Sequence, residues 1–111
     1  ALARVTPVVV AGKSSVVMSR ALAALAERGY GRVLCEGGPR LLSGLVAADE
    51  LDELCVTVTP SLQGGSAPRI LDGPPVAPRN LELSHILAAE EDGTLMMRWL
   101  RQPAPSTDAS S

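Results

Sequence analysis

In this chain of 111 residues, the residue types most able to do chemistry cluster at Glu36-Gly37-Gly38-Pro39. Two adjacent glycines let a backbone approach a bulky ligand closely, because no Cβ stands in the way. Pro39 suits the first position of a helix, where its missing N–H costs nothing. A helix starting there presents unpaired N–H groups and a partial positive charge, which together cradle a phosphate. The same glycine pair also serves as a plain tight turn between strand and helix, and the dipeptide alone does not separate the two readings. Glu36 closes an apolar run, where a carboxylate is costly unless it is paired or faces a polar cavity. It is either a ligand-facing group or a surface or helix-capping glutamate.

Other constellations carry less. Gly12-Lys13-Ser14 looks like the tail of a GxxxxGK[ST] phosphate loop, but the first glycine of that pattern falls on Pro7. Lys13 is therefore read as a solvated residue at a strand end. His85 is the sole histidine, and no Ser or Asp near it is spaced as a triad. Asp49, Glu50, Asp52 and Glu53 bracket Leu51 and read as a solvated helix-to-strand turn rather than an acid–base pair. Cys35 and Cys55 lie in separate apolar segments without CxxC or HxxxH spacing, so no metal site is expected. They read as free, buried strand thiols in a reducing cytoplasm.

The elements that must position these residues follow from periodicity. Residues 5–11 are β-rich and read as a short buried strand, beginning near Pro7 because proline cannot donate to a ladder. Ser19 is the expected N-cap of a helix over 20–28, with Leu22, Ala23, Leu25 and Ala26 at helical spacing and Gly29 as its stop. Residues 32–36 read as a second buried strand, and Leu41, Leu42, Leu45 and Val46 form the apolar stripe of the helix that Pro39 opens. A third strand spans 54–59 and ends at Pro60. The stretch 60–79 is a long loop with five prolines, holding at most a short piece around Ile70-Leu71. Residues 81–90 and 94–101 alternate around Glu91-Asp92-Gly93 as a hairpin. Helical connections between buried strands imply right-handed crossovers and parallel neighbours, with an antiparallel pair at the edge. The expected fold is therefore α/β, over residues 1–101, with a disordered tail at 102–111.

Composition bounds the function. Hydrophobic residues make up 46% and charged residues 20%, so the chain has the makings of one globular domain rather than a disordered segment. A net charge of −2, well mixed, argues against a nucleic-acid or anionic-membrane surface. No apolar run approaches the about 20 residues of a membrane span, and no secretory leader is visible. Tyr30 and Trp99 are the only aromatics, so the core must come from Leu, Val and Ala. The chain opens at Ala1 directly before a strand-like run, and a further segment in front of it is expected.

The ordered string Arg32-Val-Leu-Cys-Glu-Gly-Gly-Pro-Arg-Leu-Leu42, then Leu51-Asp-Glu-Leu54, then Val58-Thr-Pro-Ser-Leu-Gln-Gly-Gly65, resembles the reductase domain of bacterial riboflavin biosynthesis. The likeness runs over about residues 5–101 and is carried by the order of the pieces rather than by any one of them. It implies a dihydrofolate-reductase-like three-layer α-β-α fold, with a mixed, mainly parallel sheet and a C-terminal antiparallel hairpin. It also implies NADPH as cofactor, bound beyond the carboxyl ends of the strands. Gly37 and Gly38 match the glycines that meet the pyrophosphate, and Pro39, Arg40 and Leu41 match the helix start beside it. Glu36 matches a glutamate that contacts the ribose part of a pyrimidine substrate. The reaction implied is hydride reduction of 5-amino-6-(5-phosphoribosylamino)uracil to its ribityl form. No catalytic acid is assigned.

Family domains carry a further strand-helix-strand half ahead of these residues, so the resemblance makes this chain an incomplete half whose partner is the N-terminal half of the same domain, inactive on its own. A homodimer is expected by the same analogy. Two other functions stay open: a dihydrofolate reductase-like enzyme acting on a pterin, against which Glu36 speaks, and a non-catalytic dinucleotide-binding or dimerisation module.

Overall fold

The computed structural model describes residues 4–103. Its elements are helix α1 (Met18–Ala26), helix α2 (Pro39–Ala47) and strands β1 (Glu53–Val58), β2 (Leu81–Ala88) and β3 (Leu95–Arg101). The backbone divides into two compact units, one holding residues 1–50 and 67–76, the other residues 51–66 and 77–111. The first carries both helices and the second the whole sheet. The expected disordered tail lies outside the described residues from 104 onward.

In the helical unit, α1 starts earlier than its sequence suggests. Val17 rather than Ser19 stands at the N-cap, with no side-chain cap, and Ser19 falls inside the first turn. Its end follows expectation: Gly29 takes φ +87°, its N–H donates to the Ala26 carbonyl at 2.9 Å, and the Tyr30 N–H donates to the Leu25 carbonyl at 3.1 Å. These two bonds satisfy carbonyls the helix would otherwise leave open. α2 ends the same way with a different residue. Glu50 N–H reaches the Leu45 carbonyl at 2.9 Å and Asp49 N–H the Val46 carbonyl at 3.1 Å, while Asp49 itself adopts φ +60°. Asp is one of the few side chains that tolerates this left-handed position.

Gly44 lets α1 come close, since a Cβ there would stand 3.4 Å from Met18 Cγ. Among the described residues, Leu45, Val46 and Ala11 are the buried apolar ones, and Ser43 is buried as well. The apolar stripe of α2 is thus only partly core, with Leu41 exposed, and α1 buries no residue fully.

The expected strands at 5–11 and 32–36 are absent: neither stretch has regular structure. A strand exists only where neighbouring backbone completes its hydrogen bonds. Among the described residues, no backbone bond ties 32–36 to any other segment. Val8, Val9, Val10, Val33 and Leu34 are correspondingly exposed. Cys35 sits in this stretch and is exposed, as is Cys55 in β1, so the expectation of buried thiols fails while that of free ones holds.

The sheet unit has the order β1-β3-β2, and both pairings are antiparallel. It therefore differs from the mainly parallel sheet expected, because the segments that would have supplied parallel neighbours form no ladder. The hairpin also departs from an edge placement, since β3 lies at the centre, with Cys55 facing Arg98 on one side and His85 facing it on the other. Its turn closes through Ala89 N–H to the Thr94 carbonyl at 2.8 Å and Gly93 N–H to the Ala89 carbonyl at 2.9 Å, with Gly93 at φ +75°. A bulge falls at Ser84, between the Leu83–Trp99 and His85–Arg98 pairs. Residues 59–80 form no helix or strand, as their proline content predicts, and the Ile70-Leu71 piece is irregular too.

Three glycine substitutions rank the backbone constraints. At Gly12 a Cβ would lie 1.8 Å from the Ser15 carbonyl oxygen, so Gly12→Ala must displace backbone and is expected to be the most destabilising. At Gly29 nothing lies within 4 Å, and Gly29→Ala is expected to cost about 1 kcal/mol from its positive φ alone. At Gly31 neither constraint applies, and Gly31→Ala should be close to neutral. Denaturant midpoints of the three variants test the order.

Candidate functional site

The Glu36-to-Leu41 junction lies within the helical unit. Gly37 has φ +106° and the Gly37–Gly38 peptide is cis. Gly38 is the N-cap of α2, with φ −59° and ψ −176°, and Pro39 takes the first helical turn. No side chain caps this helix and no acidic residue occupies its first turn. Its first backbone bond runs from Leu42 N–H to the Gly38 carbonyl at 3.0 Å. The amides of Arg40 and Leu41 consequently have no partner among the described residues. A Cβ built on Gly37 or Gly38 would meet nothing within 4 Å. The junction is thus open space bordered by backbone donors at the positive end of a helix dipole, an arrangement suited to an anion.

All six residues singled out from sequence come together along this one stretch, as their contiguity requires. Glu36, Arg40 and Leu41 are exposed and Pro39 is half-buried. The Glu36 carboxylate reaches no side chain or backbone donor among the described residues, which leaves it free for a polar ligand.

One neighbour of this site was not legible from sequence. Asp72, from the long loop, donates its backbone N–H to the Pro39 carbonyl at 3.2 Å, and its Oδ2 accepts from Arg40 Nε at 3.4 Å. The next residue packs against α2 so closely that a Cβ on Gly73 would stand 2.8 Å from Ser43 Cβ. The loop therefore clamps the first turn of α2, and Gly73 is the residue that permits it. The Arg40 side chain is 90% exposed, so this ion pair steers the guanidinium more than it stabilises the fold.

One of the lesser candidates departs from expectation. Gly12-Lys13-Ser14-Ser15 forms a closed turn, shut by Val17 N–H to the Ala11 carbonyl at 2.8 Å, and Lys13 is exposed. His85 Nδ1 lies 3.2 Å from Ser84 Oγ on the exposed face of β2, and no metal-binding group of side chains occurs among the described residues. The exception is Glu53, which is not part of a solvated turn. It lies in β1 and accepts from Arg98 Nη2 at 2.6 Å and from Cys55 Sγ at 3.6 Å. Arg98 and Glu53 sit diagonally across two strands, within reach of long side chains. The hydrogen bond from Arg98 holds the Glu53 carboxyl below its ordinary range and raises Arg98 in turn. In the hairpin turn, the Thr94 N–H does the same for Asp92, at 2.8 Å from its Oδ1.

Residues 1–95 match the family described as the RibD C-terminal domain. Among solved structures, the chain is similar to a pyrimidine reductase-like protein of Corynebacterium diphtheriae, with a TM-score of 0.79 at 19% identity. The match covers 93% of this chain and 42% of that one, so the chain spans under half the length of that protein. At this identity the likeness is one of fold. No curated protein matches the chain. No described helix is long and apolar enough to cross a membrane.

The ion pair has a pH signature. Because the Glu53 pKa is lower folded than unfolded, its contribution to stability is present above the ordinary carboxylate range and is lost as pH falls from there through the lowered folded value. The Glu53 carboxyl should titrate below the other glutamates in a carbon-detected NMR titration, and Arg98→Met should move it back up.

Proposed function

The chain belongs to the RibD C-terminal domain family, and on that premise we propose that it supplies part of an NADPH-dependent reductase acting on 5-amino-6-(5-phosphoribosylamino)uracil. The observation that carries the proposal is the open end of α2, where unpartnered amides of Arg40 and Leu41 border a space kept clear by Gly37 and Gly38. The residues fit a dinucleotide on this ground, since nothing lies within 4 Å of a Cβ position at either glycine and a backbone without one allows a pyrophosphate to approach closely. In this reading the backbone at Gly37 and Gly38 and the amides of Arg40 and Leu41 hold the pyrophosphate. Pro39 sets the start of the helix that aims them, and the exposed Arg40 guanidinium adds a second positive group.

A nicotinamide held there would supply the hydride for C1′ of the ring-opened ribose, with solvent supplying the proton that completes the reduction. What this chain's residues add is position and charge. Glu36, exposed and without a protein partner among the described residues, accepts hydrogen bonds from the ribose hydroxyls and holds the sugar against the cofactor. The Asp72 clamp keeps the helix start in place while both ligands load.

The reading also gives the chain a protein partner. The stretches at 5–11 and 32–36, which join no strand ladder, and the 42% coverage of the similar structure support a further strand-helix-strand half that completes a three-layer, mainly parallel sheet. Activity is assigned to that completed domain, acting as a homodimer in the cytoplasm, which the free cysteines suit.

The test is NADPH titration of the full-length protein, followed by turnover assays with the pyrimidine and with dihydrofolate. Binding of NADPH and turnover of the pyrimidine alone are expected; failure to bind any nicotinamide dinucleotide overturns the reading. Gly38→Ala meets no steric conflict, so its unfolding midpoint should equal that of the parent while NADPH binding weakens about tenfold or more, a loss of about 1.4 kcal/mol. Glu36→Gln should cut pyrimidine turnover by about tenfold or more and leave NADPH affinity nearly unchanged, since one charge-assisted contact is worth about 1.5–3 kcal/mol. Unaltered turnover would make the carboxylate peripheral.

A further inference from the structure

We draw no further inference here: the strongest candidate, the open cleft of 130 Å³ on the sheet face where Cys55, Arg98 and His85 occupy one register row, carries nothing because Cys55 and Arg98 both bond to Glu53 of the same sheet and the unpartnered Arg98 Nε belongs to a side chain that is 43% exposed.

Discussion

Backbone pairing governs everything else in this chain. A peptide group taken from water has to find a partner, and an extended segment can find one only in a neighbour. β3 has two neighbours and forms the middle of the sheet; β1 and β2 each have one. The valine-rich stretch at 8–10 and the Val33-Leu34 pair have none among the described residues, and their side chains stay in water. High β-propensity there is a preference with nothing to act on, because propensity in strands largely reflects packing against what lies alongside.

The candidate site escapes this dependence because it is built from local geometry. A helix generates its own hydrogen bonds after the first turn and leaves its first amides open wherever no side chain caps them. At α2 the N-cap is a glycine and the next residue a proline, so neither a capping oxygen nor a Cβ competes for that space. Among the described residues, the long-range contribution is the clamp from Asp72 and Gly73, which reaches the first turns of the helix from a loop with no regular structure. A long irregular connection that packs back onto a helix in this way has a structural task, and its prolines lower the entropy lost in holding it there.

What could be read from sequence divides along the same line. Gly29 as a helix stop, Pro39 as a helix start and the turn at Gly93 are decided within a few residues, and each stands where it was expected. Asp49 was missed because a left-handed aspartate carries no mark that separates it from a solvated one. The central position of β3 was also hidden, since the return of a hairpin strand alongside β1 is a contact between residues 53–58 and 95–100. Without that register the Glu53–Arg98 pair could not be found, and Glu53 looked like one more acid in a turn. The residues at 36–41 could be singled out for the opposite reason: they are adjacent in the chain, so their proximity does not depend on any distant contact.

The bulge at Ser84 gives the sheet an address where its length can change. Leu83 faces Trp99 and His85 faces Arg98, so the residue between them occupies no rung of the ladder. An evolving gene could lose that one codon and keep both flanking pairs and both faces intact. The same loss at Ile86, away from the bulge, would set the residues beyond it one rung out of step with β3.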